Sequence, residues 1–244
     1  MSSLLSLTSI TKNFGSKKII DHLSLDIQAG EFVSILGPSG SGKSTLFHLI
    51  GGIFNPDEGE IQLHGKRING QRGSISYMPQ SPSLLPWRTV LQNVLLGQEL
   101  QGKKDVDTAV KMIEKAGLSG YANAYPLQLS GGMKQRVSFI RALLSPQPVI
   151  CLDEPFSALD ELTRLDMQKW LLSMWDEHRR TILFVTHNID EALFMSDRIV
   201  VMSAQPASIT AEFSLPFPRP RHEDFFLTEE FLAWKRKIYY AIRK

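Results

Sequence analysis

Features that would set this chain apart from ordinary globular proteins are scarce in its sequence. Cysteine occurs once, at Cys151 within an apolar run, so an internal disulfide is excluded and a small buried side chain is expected there. No apolar run approaches the roughly 20 residues that a membrane-spanning helix requires. The N-terminus has neither a basic segment nor a long apolar one, so no secretory signal is expected. The net charge of +2 gives no argument for nucleic-acid binding, and a cytoplasmic protein is expected.

Strand-like and helix-like segments alternate along the 244 residues, which predicts an α/β fold with a mainly parallel sheet. Strand-like runs dominate before residue 37 and return after residue 148, whereas residues 84–144 show helical periodicity and few strand formers. We therefore expect a core formed by residues 1–83 and 145–214, a helical insertion at 84–144, and a tail at 215–244.

The most informative stretch is residues 31–50, EFVSILGPSGSGKSTLFHLI, in which a buried strand, a glycine-rich turn and a helix start follow one another. The turn fits the pattern G-x-x-x-x-G-K-[ST], whose glycines let successive backbone N–H groups point into one concavity at a helix N-terminus. The stretch predicts a nucleoside triphosphate site in which Lys43 reaches the β- and γ-phosphates and Ser44 ligates Mg²⁺. The alternative is a flexible Gly/Ser loop. The predicted nucleotide-binding residues here are Gly37, Pro38, Ser39, Gly40, Ser41, Gly42, Lys43, Ser44 and Thr45.

A second candidate site follows the apolar run at residues 149–152, where Asp153 and Glu154 end a predicted strand. Ligands of open α/β sheets bind at the carboxyl ends of their strands. Asp153 is expected to hold Mg²⁺, directly or through water, and Glu154 to polarise the water that attacks the γ-phosphate. Acidic residues after a strand are also common in simple turns, so this pattern is weak by itself.

A third candidate site begins at Ser130, a good helix N-cap that precedes Gly131 and Gly132. It reads either as a second backbone anion site or simply as a capped helix. The run LSGG at 129–132 together with Gln135 resembles the signature motif of the ATP-binding-cassette (ABC) family. That family's other motifs follow in order: residues 37–45 as the Walker A loop, Gln80 as the Q-loop, 149–154 as Walker B, 157–160 as the D-loop, and His187 as the switch histidine.

The resemblance implies a P-loop NTPase (RecA-like) core with an N-terminal antiparallel β subdomain and an inserted α-helical subdomain. It also implies a homodimer in which each of two ATP molecules is held by the Walker A loop of one chain and by Ser130, Gly131, Gly132 and Gln135 of the other. Lys43, Glu154 and His187 are then catalytic, and Ser44, Gln80 and Asp153 ligate Mg²⁺. His187 could otherwise cap a helix, and Gln80 could be an ordinary loop amide. Phe14 stands where the family usually has a tyrosine that stacks on adenine; it could instead be core.

Shorter stretches are similar to the nitrate, sulfonate and taurine importers of the family: PWRTV at 86–90, YP at 125–126, DEPFSALD at 153–160 and THNIDEA at 186–192. The resemblance implies a subunit on the inner face of the cell membrane that powers import of a small sulfonate-like, nitrate-like, taurine-like or nitrogen-heterocycle-like solute. Its partners would be integral membrane permease subunits and a separate solute-binding protein, with no nucleic acid. The alternative is a soluble ABC ATPase that acts on nucleic acid or ribosomes without a permease. Residues 84–87, LLPW, could contact a permease or pack within the helical subdomain.

The tail at 215–244 begins with a proline-rich segment that predicts a linker. Thr228 then caps a helix with acidic residues in its first turn and with Arg243 and Lys244 at its end. Phe231, Trp234, Ile238 and Ile242 would share one apolar face, which predicts packing on the chain's own domain or on a dimer mate. A membrane-surface or regulatory role is the alternative.

Overall fold

The computed structural model describes residues 3–157 and 159–243. Ten strands and eight α-helices lie in this part of the chain, and two 3₁₀ turns cover Pro126–Gln128 and Glu223–Leu227. In chain order these elements are β1 (Leu5–Phe14), β2 (Lys17–Ile27), β3 (Phe32–Leu36), α1 (Lys43–Ile50), β4 (Glu58–Leu63), β5 (Lys66–Arg67), β6 (Ser76–Met78), α2 (Val90–Val94), α3 (Leu96–Glu99), α4 (Val106–Lys115), α5 (Gly131–Leu143), β7 (Val149–Asp153), α6 (Glu161–His178), β8 (Thr181–Thr186), α7 (Ile189–Met195), β9 (Arg198–Met202), β10 (Ile209–Ser214) and α8 (Glu229–Ile242).

Two compact units divide the fold, one formed by the first 75 residues with everything from Thr181 onward, and the other by Ser76–Arg180. Among the helices of the described residues, none combines the length and the apolar character needed to cross a membrane. The mixed α/β class with both antiparallel and parallel strands is confirmed. The domain boundaries proposed from the sequence stay a prediction.

The first unit contains an antiparallel sheet in the order β2-β1-β4-β5 and a second set of strands in the order β10-β9-β3-β8. In the second set β3 pairs in parallel with β8 and β9, and β10 closes the edge antiparallel to β9. All five residues of β3 are buried, as the continuous apolar run predicted. The parallel arrangement brings the carboxyl ends of β3 and β8 to one edge, so the segments that follow Leu36 and Thr186 start from neighbouring strands.

Strand ends differ from the sequence-based expectation where a local irregularity interrupts the pattern. The apolar pattern of residues 4–10 predicts a strand that ends near residue 10, but β1 continues to Phe14, past a register shift at Ser9, whose φ is +49°. β10 was not predicted, because an edge strand with alternating half-buried and exposed residues carries little apolar signal. Helical periodicity over residues 89–96 predicts one helix, whereas the structure has two short helices, α2 and α3, that meet at Leu95.

The tail belongs to the first unit and packs on it. Phe217, Phe231 and Ile238 are buried in one cluster with Leu36 of β3 and Leu193 of α7. Thr228 caps α8 by accepting a hydrogen bond from the Phe231 amide, so the predicted helix and its packing on the chain's own domain are confirmed. Lys244, which was also expected at the end of this helix, lies outside the described residues.

The proline-rich segment at 215–221 was expected to be a linker, and this prediction was wrong. The Leu215 amide donates to the Asp197 carbonyl, and Arg221 is only 8% exposed. Two arginines among the prolines tie the segment to the preceding helix, which explains why proline composition alone misjudged it.

The second unit contains the parallel pair β6-β7 and the helices α2 to α6. Every residue of β7 is buried. The ring of Phe139 in α5 stacks on Phe156, with centroids 5.5 Å apart, and meets the Trp170 ring of α6 edge-on. The packing therefore connects helix α5, which starts at Gly131, with the segment that follows β7.

Candidate functional site

The glycine-rich turn joins β3 to α1, as predicted, and Lys43 is the first residue of the helix. The Lys43 ammonium donates to the carbonyls of Gly37 (2.9 Å) and Pro38 (2.8 Å), and only 5% of the residue is exposed. The charged group of Lys43 therefore lies against its own turn, at the N-terminus of an eight-residue helix whose dipole favours an anion.

Two positions of the turn require glycine. A Cβ at Gly37 would lie 2.9 Å from the Met202 carbonyl oxygen. Gly42 has a φ of +101°, and a Cβ there would lie 3.1 Å from Ile19 Cγ2. The backbone of this turn therefore fits closely against β9 and β2, and no other residue type fits these two positions without strain.

Gln205 also touches the turn, which sequence reasoning missed. Its side-chain amide donates to the Gly40 carbonyl at 2.6 Å. The connection between β9 and β10 that carries Gln205 is anchored to β2, because the Ala207 amide donates to the Ile19 carbonyl and the Asp21 amide donates to the Ala207 carbonyl. No motif covers this connection, and only its proline and serine content marks it as a turn.

Phe14 lies at the end of β1 and is 44% exposed. Its ring meets the Phe54 ring edge-on, with centroids 5.2 Å apart, and the Lys12 ammonium lies 5.5 Å from its centroid. An aromatic surface is therefore accessible to solvent at this position.

His187 is exposed and directly follows β8. Asn188 is the N-cap of α7 and accepts hydrogen bonds from the amides of Asp190 (2.8 Å) and Glu191 (3.3 Å). The cap belongs to Asn188, so His187 does not serve as the capping residue that was its alternative role.

In the second unit, Asp153 ends β7 and is only 4% exposed. It accepts a hydrogen bond from the Tyr77 hydroxyl at 3.1 Å. Burial and the negative charge of Asp153 raise the pKa of Tyr77, so the phenol stays protonated and keeps donating. Sequence reasoning did not single out Tyr77; its place three residues before Gln80 was the available signal.

Glu154 adopts a φ of +43°, a left-handed conformation that costs a residue with a Cβ about 1–2 kcal/mol. Its carboxylate lies 3.4 Å from the Gln80 side-chain amide, which also donates to Ser157 Oγ at 3.2 Å. The Ser157 hydroxyl donates to the Glu154 carbonyl at 2.9 Å. The structure thus brings Gln80, Asp153 and Glu154 to the end of β7, where Glu154 has a left-handed backbone conformation.

Ser130 is the N-cap of α5 and accepts a hydrogen bond from the Met133 amide at 3.3 Å, as its position predicted. Gly131 is exposed, and a Cβ built on it would meet no atom within 4 Å. Gln135 is buried, and its side-chain amide donates to the Pro155 carbonyl. Helix α5 is therefore connected through Gln135 to Pro155, the residue that follows Glu154. Ala158, within the predicted D-loop, lies outside the described residues.

Comparisons with known proteins agree with this geometry. The family described as ABC transporter matches residues 20–157, which is more than half of the chain. The chain is 41% identical over 218 residues to an aliphatic sulfonates import ATP-binding protein of Bacillus cereus, covering 88% of this chain and 87% of that protein. It is 45% identical over 204 residues to a formylaminopyrimidine import ATP-binding protein of Halalkalibacterium halodurans, covering 82% and 80%.

Among solved structures, the dimeric post-hydrolysis state of an ATP-binding cassette bound to ADP and Pi superimposes with a TM-score of 0.76 and 31% identity, over 88% of this chain and 100% of that one. The fold, the ordered motifs and the sequence identity all point the same way. The chain belongs to the ABC transporter family, as one of its ATP-hydrolysing cassettes.

Proposed function

We propose that residues 37–45 hold the phosphates of ATP. The backbone amides of the turn and of the first turn of α1 would donate to phosphate oxygens, and the Lys43 ammonium would exchange its contacts with Gly37 and Pro38 for the β- and γ-phosphates. The supporting observation is that two glycines of this turn admit no side chain, so the backbone itself forms the concave surface. Gln205 would hold one end of the turn in place through Gly40.

Ser44, Gln80 and Asp153 are proposed to hold Mg²⁺. A hydroxyl, an amide oxygen and a single carboxylate suit this ion, which proteins usually bind through one or two carboxylates together with phosphate oxygens and water. Bound Mg²⁺ neutralises the charge that develops on the β- and γ-phosphate oxygens. Tyr77 would keep the Asp153 carboxylate oriented.

Glu154 is proposed to polarise the attacking water, and His187 to contact the γ-phosphate. Hydrolysis needs an in-line water and stabilisation of charge on the γ-phosphate oxygens, without a covalent step. The left-handed conformation of Glu154 supports its role, because strain of this kind is concentrated at functional positions. The Gln80 side-chain amide lies 3.4 Å from the Glu154 carboxylate, so a movement of Gln80 would change the position of that carboxylate.

A second copy of the chain is proposed to complete each site with Ser130, Gly131 and Gly132. The exposed N-terminus of α5 can receive phosphate oxygens of an ATP molecule held by its partner. Gln135, predicted from the motif as a nucleotide contact, would connect that contact to the loop after Glu154, since it is bonded to Pro155. The exposed ring of Phe14 would stack on adenine.

The proposed task is to power import of a small solute that is sulfonate-like, nitrate-like, taurine-like or nitrogen-heterocycle-like. The solute would pass through separate permease subunits, to which a solute-binding protein delivers it. The chain would then lie on the inner face of the cell membrane. The names of the two relatives, a sulfonate and a formylaminopyrimidine importer, support this range of solutes. Trp87 is 71% exposed, which favours contact with a permease over packing within the helical region. The alternative, action on nucleic acid or ribosomes, has no specific observation in its favour.

The observation that carries this proposal is the full ordered motif set on a cassette whose relatives include two import ATP-binding proteins. The test is to delete the gene and measure growth with alkanesulfonate, taurine, nitrate or a pyrimidine as the sole source of sulfur or nitrogen. A tagged chain should also be purified from detergent-treated membranes. We expect one growth defect and a co-purifying integral membrane protein. Normal growth on every source, together with co-purification of ribosomes or nucleic acid, would refute the proposal.

A further inference from the structure

The tail of the chain holds the short helix α7 at both of its ends. α7 is seven residues long, and only its N-cap, Asn188, separates it from His187. An isolated helix of this length is unstable in water, so its position depends on the packing around it. The strap at residues 215–221 and helix α8 supply much of that packing.

At the C-terminal end of α7, the Arg221 guanidinium donates to three backbone carbonyls: Leu193 (2.7 Å), Phe194 (3.1 Å) and Ser196 (2.7 Å). These are the groups that a helix end leaves without internal partners. A positive charge there also suits the helix dipole. Arg219 adds a bond to the Met195 carbonyl and an ion pair with Asp197 at 2.8 Å. This end of α7 is therefore held by side chains of the tail.

At the N-terminal end of α7, the Lys235 ammonium of α8 lies 2.7 Å from the Asp190 carboxylate. Both side chains are more than a third exposed, so the pair adds little to overall stability. Its geometric effect is to fix the first turn of α7 to the middle of α8. Between the two ends, Phe231 and Ile238 of α8 share a buried cluster with Leu193 of α7.

The first turn of α7 in turn fixes the segment that carries His187. The Thr186 hydroxyl donates to the Glu191 carboxylate and accepts a hydrogen bond from the Asn188 amide at 3.0 Å. Thr186 and Glu191 are both buried. His187 therefore lies between the end of β8 and a helix whose two ends are bonded to the tail.

We propose that the tail acts as a positioning element for hydrolysis, with Lys235 and Arg221 setting the place of α7 and hence of His187. The inference rests on the proposed role of His187 at the γ-phosphate. Lys235 and Arg221 touch no reacting atom in this scheme, so they are positioning residues. A loose tail would leave ATP binding at the glycine-rich turn intact and slow the step that needs His187.

The test compares Lys235→Met with Lys237→Met, a change of the same charge on the same helix. Lys237 lies over the Trp234 ring, 4.3 Å from its centroid, and serves as the matched control. We expect Lys235→Met to lower kcat about fivefold, within the coupling range of contacting residues, with KM for ATP and Tm nearly unchanged. Lys237→Met should keep the original kcat. The exchanged pair Lys235→Asp with Asp190→Lys should restore most of the lost rate.

The route through His187 is tested by a double-mutant cycle with single-turnover hydrolysis. In a His187→Ala background, Lys235→Met should cause no further loss. If Lys235→Met hydrolyses like Lys237→Met while His187→Ala is impaired, or if the two effects multiply, the positioning inference is wrong and the role of His187 stands. If His187→Ala hydrolyses at the original rate, the proposed role of His187 fails and the inference fails with it.

Discussion

Substituting Gly131 by alanine tests the proposed contact with a second copy of the chain without disturbing the fold. Gly131 is the first residue of α5, and an added Cβ would meet no atom of the described residues within 4 Å beyond its chain neighbours and the backbone of its own helix. Its φ is not in the left-handed region, so alanine fits without backbone strain. A methyl group here has room among the described residues of its own chain, so it tests contact with a second copy.

The substitution should change both the stability of the chain and its rate of ATP hydrolysis. Replacing a helical glycine by alanine stabilises a protein by about 0.5–1 kcal/mol, and we expect the lower value because Gly131 lies in the first turn. For a chain of this size that is a rise of about 1–2 °C in Tm. If the amides of this turn face the phosphates of the partner's ATP, the methyl group removes that close approach. The loss should resemble that of one preorganised donor, about 10²–10³ in rate.

The assay measures Tm by calorimetry, ATP affinity by nucleotide titration and steady-state hydrolysis for Gly131→Ala. Ser173→Ala, on the exposed side of α6 in the same unit, is the control for a small gain in helix propensity. We expect a protein at least as stable as the original, unchanged ATP affinity at the glycine-rich turn, and almost no turnover. Hydrolysis at the original rate by a stable Gly131→Ala protein would refute the idea that this helix end contacts nucleotide.

Three further changes have defined outcomes. Gln205→Ala removes one neutral hydrogen bond from the glycine-rich turn. This should raise the Kd for ATP about threefold to tenfold in a nucleotide titration. An unchanged Kd would show that the turn keeps its shape without Gln205. Phe14→Ala should raise the Kd for ATP at least about fivefold if the ring stacks on adenine, and equal affinity would remove Phe14 from the site. Glu154→Gln should bind ATP normally and lose most turnover by a phosphate-release assay, whereas near-original activity would exclude Glu154 as the main water-polarising group.

Local patterns predicted the parts of the site that lie on regular elements. The glycine-rich turn, the N-cap at Ser130 and the strand ending at Asp153 are each specified by residues close together in sequence. The resemblance to a family then ordered these pieces along the chain. What a motif cannot supply is contact between segments that are far apart in sequence.

Gln205 shows this limit: its bond to Gly40 joins residues 165 positions apart. The strap at 215–221 shows it again, since proline content predicts an extended linker, whereas the buried Arg221 side chain bonds the segment to α7. The strained backbone of Glu154 could not be predicted from the sequence either. A left-handed φ at a residue with a Cβ is imposed by tertiary packing rather than by local preference.

Binding of ATP between two copies of the chain can be tested by sedimentation of Glu154→Gln with saturating ATP and Mg²⁺. We expect a species of twice the 27.5 kDa chain mass that returns to monomer when nucleotide is removed. Adding Ser130→Glu should abolish this dimer while the affinity for ATP stays the same. If the Glu154→Gln protein binds ATP fully and still sediments as a monomer, the two copies do not share the nucleotide.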